Sequence, residues 1–272
     1  MTRSHTYLVN GSFSQGISPL DRGFTYGDGV FRTIVMRNSV PDSWPQHYQK
    51  LVADCAVIGI VCPSAELLMN DLQQMFAIDE IAVAKVVITR GEGARGYAPP
   101  AVTTPMRVVI KSPMPQYAVN NFIHGVNLHV CEMRLSYQPK LAGIKHLNRL
   151  ENVMARMEWQ EDTIFDGLLL DQQGNVIECT MSNIFARFDQ TLITPDLGQC
   201  GVMGVTRQRI IGLAAMLKMN IEVGEISMDR LLQADEVIVC NSLYGAFQVA
   251  KIADTAWPQQ ALAKTIRSAL NT

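Results

Sequence analysis

No apolar run in this sequence approaches the ~18 residues needed to span a bilayer. No charged segment followed by an apolar one opens the chain, so neither a membrane anchor nor a secretory leader is expected. Runs of like charge are missing too. The 23 basic residues are scattered among 25 acidic ones for a net charge of -2, which leaves no basic face for a phosphate backbone, and nucleic acid is not an expected partner. The six cysteines, Cys55, Cys62, Cys131, Cys179, Cys200 and Cys240, form no CxxC pair and no Cys/His cluster of zinc spacing. They read as small core residues in a reducing, cytoplasmic compartment. The five histidines (His5, His47, His124, His129 and His146) show no metal pattern, and the chain contains no internal repeat, low-complexity segment or coiled-coil heptad.

What is present is a chain of 272 residues, 48% hydrophobic, long enough for one large core or two modest ones. Residues 6–10 suggest a short strand, and Pro19, Asp21 and Gly23 open a loop running to Gly29. Residues 30–35 read as a strand. A helix follows Pro45, with Tyr48, Leu51, Val52, Cys55 and Ile58 at helical spacing, then a second helix over 65–76 and strands over 83–89 and 106–111. Two prolines and no period in 112–120 suggest an interdomain linker. The division expected is 1–112 as a smaller N-terminal α/β domain, 113–120 as linker and 121–272 as a larger C-terminal α/β domain. In the latter, a strand over 126–131 precedes a helix over 148–160 whose apolar stripe is Leu147, Leu150, Val153, Met154 and Met157. Strands over 167–170, 176–179, 183–187, 235–240 and 247–252 and a helix over 259–270 complete an α+β pattern.

Several residues stand out for their chemistry. Lys145, in LAGIKHLNRLENV (141–153), sits among Leu141, Ala142 and Ile144. Desolvation by apolar neighbours lowers a lysine pKa and frees an amine able to form a Schiff base with a carbonyl compound. Composition alone favours a solvated lysine at a helix start. Glu178 interrupts an apolar and small-polar stretch, where a carboxylate is costly without a positive partner, or else faces water on an edge strand. GVMGVTRQ (201–208) passes from glycines into a helix start of the kind that binds anions, although such starts are common. The loop RGEGARGYAPP (90–100) reads either as a solvated hairpin connection or as a substrate loop, and Arg95 in it could clamp a carboxylate bidentately.

Four segments in order, YGDGVF (26–31), the lysine segment, VIECTMSNIF (176–185) and GVMGVTRQ, resemble those of the aminodeoxychorismate lyases within the class IV aminotransferase-like family. The matches run from Asp21 to about Asn241. The resemblance implies a two-domain fold type IV enzyme, like the D-amino-acid aminotransferases, working as a homodimer with pyridoxal 5'-phosphate in an interdomain cleft. It implies that Lys145 carries the cofactor and acts as general base, and that Glu178 pairs with the pyridine nitrogen. Val205, Thr206 and Ser242 would then meet the phosphate. Tyr26, Arg95 and Tyr97 would face substrate, with Phe31 also lining the site. The implied reaction converts 4-amino-4-deoxychorismate to 4-aminobenzoate and pyruvate, for folate synthesis. A D-amino-acid or branched-chain aminotransferase is the enzymatic alternative, and a silent cofactor-binding protein a third. Two positions depart from the family pattern. Lys50 in HYQKL stands where the family has a phosphate-binding arginine, and Leu150 stands where branched-chain aminotransferases have a tyrosine.

Overall fold

The computed structural model describes residues 6–271, so His5 lies outside the described residues. By its own contacts the chain divides into two compact units. The first comprises the residues through Pro115 together with Lys145–Asn148, and the second Gln116–Ile144 with Arg149–Thr272. The short lysine segment thus packs with the N-terminal unit, although the chain on both sides of it belongs to the other.

The first unit is built on an antiparallel five-stranded sheet. Its strands are β1 (Tyr7–Val9), β2 (Gly29–Arg37), β3 (Val40–Pro41), β4 (Ile81–Thr89) and β5 (Met106–Pro113), in the order β1-β5-β4-β2-β3. The β-branched residues of β2 and β4 suit a pleated surface, and the two strands pair in unbroken register from Gly29↔Thr89 to Arg37↔Ile81. Between β1 and β2 the sequence suggests only a loop, yet it holds a short helix, α1 (Arg22–Tyr26). Asp21 caps it, accepting from the N–H groups of Gly23 and Phe24, and Gly27 ends it in the left-handed conformation. A Cβ at Gly27 would lie 2.2 Å from Oδ1 of Asn148, so glycine is needed there for space as well as for backbone freedom.

Two longer helices, α2 (Trp44–Val57) and α3 (Ala65–Met75), complete the unit. On α2 the buried residues are His47, Leu51, Asp54 and Cys55, whereas Val52 is exposed. The buried face is therefore rotated from the apolar stripe expected, and it carries a carboxylate.

The second unit contains a nine-stranded mixed sheet. Its strands are β6 (Val126–Leu135), β7 (Ile164–Asp171), β8 (Val176–Cys179), β9 (Asn183–Phe188), β10 (Thr191–Pro195), β11 (Asn220–Gly224), β12 (Glu236–Asn241), β13 (Gly245–Ile252) and β14 (Thr255–Ala256). They run in the order β11-β10-β9-β12-β13-β6-β7-β8, with β14 on β13. The pairs β13/β6, β6/β7 and β10/β11 are parallel. The helices are α4 (Val119–Ile123), α5 (Leu150–Arg156), α6 (Val205–Leu213), α7 (Met228–Leu232) and α8 (Leu262–Leu270). Pattern reading missed α4, α7, β10 and β11. β11 has no buried residue, hence no alternation to read. α5 is shorter than expected, and its stripe faces outward in the single chain: Leu150, Val153, Met154 and Met157 are all exposed, and Ala155 is the buried residue. Among the described residues no helix is long and apolar enough to cross a membrane.

Candidate active site

Lys145 is held through its main chain. Its carbonyl accepts the N–H of Phe31 at 3.0 Å, and two residues on, the N–H of Leu147 donates to the carbonyl of Gly29 at 3.0 Å. Residues 145–147 thus form a brief edge strand on β2, bridged at Val30↔His146. The Lys145 N–H turns elsewhere, to Oδ2 of Asp54 at 3.0 Å. Its Nζ stands 4.8 Å from the centroid of the Phe31 ring, and Nζ of Lys85, from β4, stands at the same distance from that ring. An ammonium over an aromatic face gains roughly 0.5–2 kcal/mol.

Asp54 was not singled out in the sequence. It is 2% exposed and pairs with two cations, Lys50 one turn earlier on α2 and Arg32 on β2. Arg32 also donates from Nη1 to the carbonyl of Phe31 at 2.7 Å and from Nη2 to that of Lys50 at 2.9 Å, while its buried Nε has no hydrogen-bond partner among the described residues. Burial pulls the Lys50 ammonium below the usual lysine value and the charge of Arg32 pulls the same way, so pairing with Asp54 offsets only part of the shift. The available signal was Asp54 at i+7 from His47 and i+3 from Leu51, a carboxylate on a buried helical face.

The other substrate-loop candidates lie in the same unit. The N–H of Gly96 donates to the Tyr26 hydroxyl at 3.0 Å, and the rings of Tyr26 and Tyr97 are 5.5 Å apart. Arg22 stacks over Tyr26 and donates to the carbonyls of Gly96 and Tyr97, each at 3.0 Å. Tyr97 is 87% exposed and Arg95 is exposed, so the loop is anchored by its backbone with both side chains in solvent.

In the second unit, residues preceding the lysine are pinned to the segment that leads into α6. Gln138 donates to Gln199 and Gly143 to Gly201, and Met203 donates back to Gly143. Glu178, on β8, is 3% exposed and accepts the N–H of Val202 at 2.9 Å, with Nδ2 of Asn183 at 3.5 Å. Asn183 also donates to the carbonyl of Val202 at 2.8 Å and accepts from the N–H of Gly204 at 3.1 Å. A Cβ on Gly204 would fall 2.2 Å from that Asn183 oxygen. Gly204 is the N-cap of α6, where there is no capping side chain and no acidic residue in the first turn. Val205 and Thr206 are buried in that first turn, and the Thr206 hydroxyl meets that of Ser242 at 3.2 Å. Val205, Thr206 and Ser242 therefore gather at one helix N-terminus, with Glu178 linked to it through Val202 and Asn183.

The family described as amino-transferase class IV matches residues 29–252. A curated aminodeoxychorismate lyase of Vibrio harveyi is 35% identical over 90% of this chain and 91% of its own length. A D-alanine aminotransferase of Bacillus licheniformis is 27% identical over 85% of this chain and 81% of its own. Among solved structures, the 4-amino-4-deoxychorismate lyase of Pseudomonas aeruginosa has a TM-score of 0.93 at 39% identity, covering 97% of this chain and 98% of that one. The branched-chain amino acid aminotransferase of Escherichia coli shares the fold with a TM-score of 0.86 at 21% identity, over 99% of this chain and 94% of that one. A mixed α/β fold in two units, with a lysine held at a sheet edge and a glutamate buried beside a glycine-led helix start, defines a fold type IV pyridoxal 5'-phosphate enzyme. The chain belongs to the class IV aminotransferase family.

The donor set fits the cofactor. An uncapped helix start with two adjacent hydroxyls suits a phosphate, and a buried carboxylate suits a pyridinium nitrogen. Arg32 and Lys50 leave one net positive charge over Asp54. Among the described residues no cluster of side chains could hold a metal ion.

Proposed function

We propose that the protein is a pyridoxal 5'-phosphate-dependent lyase that converts 4-amino-4-deoxychorismate to 4-aminobenzoate and pyruvate. The observation that carries this reading is a likeness to aminodeoxychorismate lyases across nearly the whole chain, stronger in identity than the likeness to the aminotransferases reported with it.

Lys145 is the residue that would bond the cofactor, and its amine would serve as the base that removes the proton from C4 of the substrate ring. Bound pyridoxal phosphate supplies a ring that takes up the electron pair left by that proton. Glu178, a buried carboxylate, keeps the pyridine nitrogen protonated for that purpose. Val205, Thr206 and Ser242 hold the phosphate by main-chain amides and hydroxyls, and Lys50 adds a positive charge. Loss of the C4 proton is followed by cleavage of the bond from the adjacent carbon to the enolpyruvyl oxygen, and aromatisation drives it. Protonation of the released enol gives pyruvate. Arg95, Tyr97 and Tyr26 are assigned to the substrate, with the exposed Arg95 guanidinium suited to a carboxylate.

The working form we propose is a cytoplasmic homodimer. The exposed stripe of Leu150, Val153 and Met154 on α5 and Met157 at its C-cap supports burial against a second copy. Incubating the purified protein with aminodeoxychorismate should release 4-aminobenzoate and pyruvate in equal amounts with no keto acid present. A requirement for a keto acid cosubstrate would assign the protein to the aminotransferases instead.

A further inference from the structure

In an antiparallel ladder, the residues on either side of a non-hydrogen-bonded pair each belong to a pair that exchanges two main-chain bonds. Val30↔His146 is such a pair, so Phe31 and Lys145 should exchange two. The Phe31 N–H donates to the Lys145 carbonyl. The two groups of the other rung meet side chains. Its carbonyl side, Phe31 O, accepts from Nη1 of Arg32, and its amide side, the Lys145 N–H, donates to Oδ2 of Asp54. Arg32 and Asp54 are themselves ion-paired. A buried ion pair therefore engages both groups of one ladder rung at the lysine.

Resting on the reading that Lys145 carries the cofactor, we propose that Asp54, with Arg32, is a positioning residue for Lys145: the pair engages the main chain at that residue, sets the direction in which its chain leaves β2, and holds a negative charge beside its main-chain N–H. A structural ion pair needs no bond to Lys145, whereas this carboxylate divides its oxygens between the cations and the lysine main chain. Several other titratable groups of this unit lie near the cluster or near Lys145. They are Lys50 and the Cys55 thiol on α2, the Cys62 thiol beyond it, Lys85 at the shared Phe31 ring, and His146 next in the chain. Two cations against Asp54 leave the cluster positive, so removing either sign of charge should move the proton affinity at Lys145 in opposite directions.

The test is a pH titration of the visible absorption of holoenzyme, which reports protonation of the nitrogen joining cofactor to Lys145, with kcat and KM measured alongside. In Asp54→Asn the amide oxygen can still accept the Lys145 N–H, but the negative charge is gone. The midpoint should fall by roughly one to two pH units, for a charge on the order of 6–12 Å away at an effective dielectric near 20. The kcat should fall about tenfold or more with KM little changed. In Arg32→Gln the midpoint should instead rise, which keeps the test alive if one variant fails to fold. Asp71→Asn, which breaks the buried Asp71–Arg107 pair elsewhere in the unit, is the control for stability loss alone and should leave the midpoint in place. Unchanged midpoints and kcat in both Asp54→Asn and Arg32→Gln, with melting temperatures lowered as in Asp71→Asn, would overturn the proposal. Wild-type protein that takes up no cofactor on Lys145 would instead sink the functional reading, before any variant is compared.

Discussion

Arg90 grips Asp28 with two prongs, Nε to Oδ2 at 2.7 Å and Nη2 to Oδ1 at 3.0 Å. The same guanidinium donates to the carbonyls of Ile58 and Gly59 just past α2, while Arg22 shares Asp28 and holds the carbonyls of Gly96 and Tyr97. One carboxylate thus organises both the end of a helix and the glycine-rich loop over 90–100. Burial works against its ionised form, but the hydrogen bonds from Arg90 and Arg22 outweigh it and hold Asp28 below the ordinary aspartate range. Its folded value is depressed, so its stabilisation is complete above about pH 4 and is lost as pH falls through the folded value. Asp28→Asn should cost about 3 kcal/mol, as breaking one side of a buried pair does. Thermal melts at neutral pH would show it, and a shift no larger than that of a surface substitution would refute it.

Asp166 titrates the other way. It is fully buried on β7 and accepts from Thr180 Oγ1 at 2.6 Å, Ser182 Oγ at 2.7 Å and the N–H of Gly167 at 2.8 Å. Burial pushes its carboxyl up to about 6, the hydrogen bonds opposing only in part. A raised carboxyl binds its proton more tightly folded than unfolded, so stability falls as pH rises from about 4 to 6, by about 3 kcal/mol from this group. Melting temperature followed over that window in wild type and in Asp166→Asn should differ in slope, the variant lacking the fall. Parallel curves would remove Asp166 as the cause.

Lys145→Ala should leave the fold nearly intact, because the main chain at 145 keeps its bonds to Phe31 and Asp54 whatever side chain it carries. Borohydride treatment of the wild type should fix a pyridoxyl group on Lys145, read by peptide mapping, and the variant should take no label and form 4-aminobenzoate at background rate. A label on Lys85, the other amine at that ring, would reassign the cofactor lysine.

Lys50→Met should weaken cofactor affinity by roughly ten- to a hundredfold, the worth of a hydrogen bond to a charged group. The rate at saturating cofactor should change much less, since phosphate takes no part in bond breaking. Thr206→Val with Ser242→Ala should weaken affinity further, because the two hydroxyls meet at the α6 start. Equilibrium titration of the apo-protein decides, and an unaltered affinity in Lys50→Met would leave that lysine as the partner of Asp54 alone.

By itself the sequence determined the family and the broad α/β architecture. Lys145, Glu178 and the GVMGVTRQ segment are local signals whose type and order are legible without coordinates. Strongly alternating or β-branched stretches such as 83–89 were legible too, since a half-buried strand imposes a period of two on its own residues. Tertiary structure decided what depends on pairing between distant segments. Arg32, Asp54 and Lys145 are spaced far apart, and a carboxylate can occupy the buried face of α2 because two cations meet it there, one from β2 and one a turn back on α2. The outward stripe on α5 follows the same rule in reverse: helical periodicity says that one face is apolar, but only the packing of neighbours says which surface covers it.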